Sequence, residues 1–181
     1  MTTITESGIV PAGTWTVDQT HSSAEFEVEH GGFSVFRGGF KPIEASLVSD
    51  EDGARLQGSV DVKAISINDE NLYPHLLSPD FFDVERNPKI TFHTTEISGD
   101  ADNLRVKGEL SMAGESREVE ATGRLRGPVS FGPGAEKVGL ELETVVDRTD
   151  FGMNWQMDLP GGGKALAEDI RLSISLELNR E

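Results

Sequence analysis

Apolar residues recur with a period of two along most of this chain, which marks strands with one dry face and one wet face. Toward the C-terminus Ile170, Leu172, Ile174, Leu176 and Leu178 share one side, and Asp169, Arg171, Ser173, Ser175 and Glu177 the other. Ala24, Phe26 and Val28 oppose Glu25, Glu27 and Glu29 in the same way, as Val119, Ala121 and Leu125 oppose Glu118, Glu120 and Arg124. A helix would mix the two sets, because its period is 3.6 residues. Further strands are expected around Ile43, Ala45 and Leu47; Leu56, Val60 and Val62; Ile90 and Phe92; Leu104 to Met112; and Val138, Leu140 and Leu142. About eight strands emerge, bounded by Gly, Pro, Asn and Asp clusters. Their connections at 50–53, 98–103, 113–115 and 127–136 are short, which suits an antiparallel meander.

A sheet with one apolar side has to cover it, and little else in the chain is available to do so. The pattern therefore predicts an all-β fold, a single antiparallel eight-stranded lipocalin-like β-barrel. One short helical segment is expected around residues 69–83, where Leu72, Leu76 and Leu77 have helical spacing. There Pro74 limits helix length, and Ser78-Pro79-Asp80 resembles a cap followed by a first-turn proline. The stretch 147–169 sets Phe151, Met153, Trp155 and Met157 ahead of a Pro160-Gly161-Gly162-Gly163 turn, more large apolar groups than a bare surface carries.

Composition narrows the functional classes. The chain has 181 residues, with 32 Asp and Glu against 16 Lys and Arg and a formal net charge of −16. Such a balance repels phosphate backbones, so nucleic acid is not expected as a partner. No apolar run reaches the about 18 residues of a spanning helix, so stable membrane insertion is not expected either. With no cysteine, thiolate metal sites, disulfides and thiol nucleophiles are excluded. Residues 1–12 read as a flexible arm without the build of a secretory signal, residues 13–181 as the barrel domain, and the expected location as cytoplasmic.

Strands of about ten residues span roughly 33 Å, and an eight-stranded barrel can be filled by side chains or hold one slender ligand. Gly58, Gly108, Gly123 and Ala121 fall in phase with inward positions, so they either leave room inside or relieve strand bending. The polar candidates give little chemistry. His21, His30, His75 and His93 show no metal-ligand spacing, and no G-x-S-x-G elbow surrounds Ser22 or Ser23. Gly161-Gly162-Gly163-Lys164 lacks the spacing of a phosphate loop. No catalytic residue, metal or cofactor is therefore expected.

Four motifs add a resemblance. Trp15-Thr16-Val17-Asp18 with His21-Ser22 and Phe26-x-Val28-x-His30-x-Gly32 form the first, and Val35 to Phe40 (VFRGGF) the second. The third is His75-Leu76-x-Ser78-x-Asp80-Phe81-Phe82-Asp83 followed by Asn87-Pro88-x-Ile90-x-Phe92. Gly108-x-Leu110-x-Met112-x-Gly114 and Arg148-x-Asp150-Phe151-Gly152 form the fourth. In this order, from about Gly13 to Leu178, the chain resembles the YceI-like polyisoprenoid-binding family, lipocalin-like barrels with an elongated lipid cavity. It departs at Tyr73-Pro74, where an Arg-Asp pair usually precedes the His-Leu.

The resemblance implies binding, storage or transport of a long apolar lipid: a polyisoprenoid or isoprenoid quinone, or a fatty acyl compound. It also implies a homodimer. The residues expected against such a chain are Phe26, Val28, Phe40, Ile43, Val60, Leu72, Leu76, Phe81, Phe82, Phe92, Leu110, Leu142, Phe151, Met153, Trp155, Met157, Leu172 and Ile174. Each could equally be plain core, since a barrel wall and a barrel core look alike in sequence. His30 is expected to point inward toward a lipid head. Arg37 and Arg148 could neutralise an anionic head group, or Arg148 could pair with Asp147 or Asp150. Two alternatives stay open: a small isoprenoid or polyketide enzyme using His21, His30 or Asp18 as acid and base, and a structural barrel that recruits a protein partner.

Overall fold

Alternating strands joined by tight turns close on themselves here, as the one-sided sheet requires. The computed structural model describes residues 4, 5 and 8–181. Its strands are β1 (Ile4–Thr5), β2 (Gly13–Val17), β3 (Ser23–His30), β4 (Ser34–Phe40), β5 (Glu44–Asp50), β6 (Gly53–Asp61), β7 (Ile65–Ser66), β8 (Lys89–Gly99), β9 (Leu104–Met112), β10 (Glu115–Ser130), β11 (Glu136–Asp147) and β12 (Leu166–Arg180). A short helix, α1 (Leu72–Leu77), and 3₁₀ turns at Val62–Ala64 and Arg148–Phe151 complete the described elements.

The ring runs β11, β10, β9, β8, β6, β5, β2, β12 and back to β11, an antiparallel barrel of eight strands. The long β12 carries the junction. One of its edges pairs with β11 from Asp169 to Asn179, while the other pairs with β3 through Ser175 and with β2 from Leu178 onward. Consequently β3, β4 and β7 form a flap that extends one side of the barrel beyond the ring.

Several sequence expectations shift at this level. The Phe26 strand lies in the flap, and its place in the ring is taken by β2, which the alternation does not single out. β4 is also an unexpected strand, because Gly38 and Gly39 interrupt its apolar alternation; a Cβ at Gly38 would come 2.5 Å from the Phe26 ring. The expected connection at 127–136 shortens, since β10 continues to Ser130 past an irregularity between Arg126 and Val129. The helical segment is confined to α1, with Pro74 inside it. A proline is tolerated so close to the helix start because the first-turn N–H groups have no intrahelical partner. Ser78 ends this helix instead of starting a second, and its hydroxyl donates to the His75 carbonyl at 2.7 Å.

Of the expected arm, residues 1–3, 6 and 7 lie outside the described residues. Ile4–Thr5 pairs in parallel with Glu96–Ile97, and Val10 is buried. Among the described residues no helix is long and apolar enough to cross a membrane.

The interior is divided along the barrel axis. At the end bearing the β5–β6, β8–β9 and β10–β11 turns, Trp15, Leu47, Ala54, Ile97, Leu104, Val106, Leu125, Val138 and Leu178 fill the lumen as a close-packed plug. Trp15 is fully buried and donates its indole N–H to the Pro11 carbonyl at 3.1 Å, so its one polar atom is satisfied. The opposite half, framed by the flap, α1 and the 147–166 segment, is lined by larger and more widely spaced groups, including Phe40, Leu76, Phe81, Leu110, Met112 and Met153.

Candidate functional site

In that half the side chains leave a cavity of about 590 Å³ bordered almost wholly by apolar groups. Inward positions of the barrel strands supply Ala45, Leu56, Val60, Phe92, Leu110, Ala121, Leu142, Leu172, Ile174 and Leu176; the flap supplies Phe26, Val28, Phe36 and Phe40. A third wall comes from α1 and the turn after it, through Leu72, His75, Leu76, Phe81 and Phe82. Aromatic rings link these walls. Phe40 stands between Phe26 at 6.0 Å and Phe82 at 6.2 Å, and Trp155 lies 5.8 Å from Phe81 and 5.2 Å from His75. Tilted and edge-on pairs of this kind add rigidity beyond the area they bury.

Small residues shape the lumen in two ways. Gly58 and Ala121 border the cavity and leave space where a larger residue would fill it. Gly108 and Gly123 serve close approach instead. A Cβ at Gly108 would sit 2.4 Å from both the His93 carbonyl and the Phe92 ring, and one at Gly123 would collide with the Glu141 carbonyl. At Gly108 and Gly123 the reason for glycine is thus a neighbouring strand or ring standing where a Cβ would be, which neither expectation for the inward glycines named.

Every apolar residue expected against a ligand borders the cavity except Phe151 and Met157. Phe151 is 1% exposed and packs in the core beneath, while Met157 is 52% exposed and points away from the lumen. His30 does border the cavity, but as an exposed residue at its edge, because β3 reaches the end of the flap there. Among the wall residues the sequence reading passed over, Phe36 was hidden by the glycines of β4. Leu56, Ile170 and Leu176 do carry a signal, since each is in phase with members of the expected set, and Val119 follows the dry face of its own strand.

Arg148 borders the cavity, and its hydrogen bonds among the described residues go to backbone carbonyls. It is 2% exposed, and its Nε–H donates to the Ala167 carbonyl at 2.8 Å. Its Nη1 donates to the carbonyls of Met153 at 2.5 Å and Trp155 at 2.9 Å, with a longer contact from Nη2 to Leu166 at 3.5 Å. The guanidinium thus ties the 147–157 segment to the start of β12. Burial pushes its pKa down, against the attraction of Glu168 and Asp147, and it is neither a free head-group cation nor an ion-pair partner of Asp147 or Asp150. Gln156 completes the tie by donating to the Leu166 carbonyl at 2.6 Å and accepting from the Leu166 N–H at 3.1 Å. Arg37 is bound to Glu27 at 2.7 Å on the outer face and does not border the cavity.

Of the acid and base candidates of the enzymatic alternative, His30 borders the cavity at its edge, whereas His21 and Asp18 lie outside the lumen. Lys137 bridges Asp18 at 2.9 Å and Glu177 at 2.5 Å, and the His21 ring meets Asp18 at 3.2 Å. The ammonium fills the space between these carboxylates that a cation would need, so the cluster is a surface ion network. Its charge holds the Asp18 carboxyl well below the usual carboxylate range, with the His21 contact adding to the effect.

Comparison with known proteins places this geometry. A family model described as a YceI-like domain matches residues 15–178. A UPF0312 protein of Staphylococcus aureus (strain MSSA476) is 30% identical over 172 residues, which cover 91% of this chain and 96% of that one. The YceI protein of Campylobacter jejuni superposes with a TM-score of 0.70 at 22% identity, over 84% of this chain and 90% of that one. A polyisoprenoid binding domain from Saccharophagus degradans, implicated in plant cell wall breakdown, superposes with a TM-score of 0.67 at 10% identity, over 92% and 98% of the two chains. Both structural likenesses are statements about the fold.

Proposed function

Since the chain belongs to the YceI-like domain family, we propose that it binds a long apolar lipid by enclosure, an isoprenoid or isoprenoid quinone first and a fatty acyl compound second. The observation that carries this reading is the cavity of about 590 Å³ with its nearly unbroken apolar lining. A pocket of that size falls within the range of small-molecule sites, most of whose lining is hydrophobic. Burial of about 20 methylene equivalents at about 0.8 kcal/mol each supplies on the order of 16 kcal/mol before ordering and association costs, enough for micromolar or tighter binding.

The role is that of a non-catalytic carrier or store, in the cytoplasm and as a homodimer. Such a role needs no acid or base inside the lumen; the His21 and Asp18 pair belongs to the outer surface, and His30 stands only at the exposed edge of the cavity. Solvent extraction of freshly purified protein followed by mass spectrometry tests the reading. The expected result is a stoichiometric isoprenoid or acyl lipid, or uptake of prenyl probes by stripped protein. A clean extract together with no uptake of prenyl or acyl probes would overturn it.

A further inference from the structure

A cavity for an insoluble chain needs a route by which the chain enters without crossing water, and three of the six exposed large apolar groups among the described residues, Phe33, Val35 and Met157, stand around one such route. Of the exposed residues that border the cavity, Glu25, Gln57, Thr91 and Glu143 are scattered along wall strands, whereas His30, Ser34 and Val35 cluster at the β3–β4 tip and mark an opening there. That tip is His30-Gly31-Gly32-Phe33-Ser34, where Gly31 and Gly32 have φ of +65° and +76°. A left-handed backbone at two successive positions favours glycine and turns the chain tightly, which leaves Phe33 at the apex, 85% exposed. The Gly31 N–H donates to the Ala165 carbonyl at 2.8 Å, and the Ala165 N–H donates to the Met157 carbonyl at 2.9 Å. The flap tip and the 157–165 loop therefore form one rim, bearing Phe33, Val35 and Met157 outward.

Charge singles out the same rim. In a chain of net charge −16, residues 30–36 and 151–157 contain no Asp, Glu, Lys or Arg; of the charges that flank them, Glu29, Arg37, Asp150 and Asp158, Arg37 pairs with Glu27 at 2.7 Å and Asp158 with Lys164 at 2.5 Å. The other exposed aromatic, Phe131, lies at the plugged end with the Lys137 ammonium over its ring at 5.1 Å.

We propose that this rim docks on the surface of a lipid bilayer, with Phe33 and Met157 entering the interface, so that lipid passes directly between membrane and cavity. The inference rests on the lipid-binding reading for its purpose. A second copy of the chain is a poorer occupant. Three exposed side chains offer at most a few hundred Å², below the about 800 Å² per partner of a stable interface. The acidic remainder of the surface selects a neutral, zwitterionic bilayer over an anionic one.

The test is flotation with phosphatidylcholine vesicles, repeated with phosphatidylglycerol added, alongside transfer of a fluorescent prenyl lipid between vesicles. Phe33→Ser with Met157→Ser should lower partition and transfer rate about ten-fold or more, whereas Phe33→Trp should preserve both. Prenyl uptake from ethanol should be unchanged in the double variant, since neither side chain borders the cavity. Added phosphatidylglycerol should weaken flotation. Equal flotation of wild type and double variant would overturn the docking surface while leaving lipid binding intact. If wild-type protein takes up no lipid from ethanol, the lipid-binding reading fails by itself. Conversion of a dimer to a monomer by the double variant in light scattering, without flotation of the wild type, would assign the rim to a second copy.

Discussion

Replacement of Arg148 by methionine keeps most of the volume of the side chain but removes every donor, and so separates a structural tie from a head-group site. The wild-type guanidinium satisfies the Ala167, Met153 and Trp155 carbonyls at 2.8, 2.5 and 2.9 Å. Each buried carbonyl left without a partner costs about 1–3 kcal/mol, and relief from holding a desolvated cation returns part of that sum. The net loss should be about 3–5 kcal/mol, a large share of the about 5–15 kcal/mol that holds a domain together. Urea denaturation followed by tryptophan emission measures it as a fall in midpoint at unchanged slope. Arg148→Lys should recover only part, because one ammonium cannot span the separate carbonyls that the planar fork reaches. A loss below about 1 kcal/mol in Arg148→Met, combined with selective loss of anionic over neutral prenyl ligands, would refute the structural assignment.

Further outcomes can be checked with the same protein. Gly38→Ala should displace the Phe26 ring, 2.5 Å from the new Cβ, into the lumen; prenyl uptake should fall, and Phe26→Leu in the same chain should restore it. Gly108→Ala has no such escape, because the His93 carbonyl also lies at 2.4 Å. It should destabilise by about 1–3 kcal/mol, seen as a lower melting temperature. The lowered pKa of Asp18 means that its ion network adds stability above the ordinary carboxylate range, near pH 4, and loses it as pH falls through the lower folded-state value. Lys137→Met should therefore flatten the acid side of the stability profile, and an unchanged profile would contradict the network. Trp155 borders the cavity whereas Trp15 is buried in the plug. Lipid uptake should shift tryptophan emission in wild type but not in Trp155→Phe.

The barrel was legible because burial in a sheet is written as alternation, and alternation survives in sequence wherever the inward residues are large. It failed where glycine takes an inward place. β4 packs Gly38 against Phe26, so the residue that makes the contact possible is the one that erases the pattern. Arg148 shows a different limit. Near Asp147 and Asp150 it reads as a surface cation, and only the tertiary path of the chain brings carbonyls around it, those of Met153 and Trp155 from its own segment and that of Ala167 from β12. Phe151 and Met157 sit in one alternating run with Met153 and Trp155, yet Phe151 belongs to the 3₁₀ turn Arg148–Phe151 and is buried, while Met157, at the start of the 157–165 loop, is exposed.

What the sequence determined by itself was an acidic, one-faced antiparallel barrel without thiol chemistry, because period, charge and composition are properties of the chain before it folds. Which strands close the ring, and that one end is plugged while the other is hollow, depend on how β12 divides its edge between β2 and β3. The same apolar residue is core at one level of the barrel and cavity wall at another. Its period is identical in both places, and only the distance to the opposite wall, a tertiary quantity, distinguishes them.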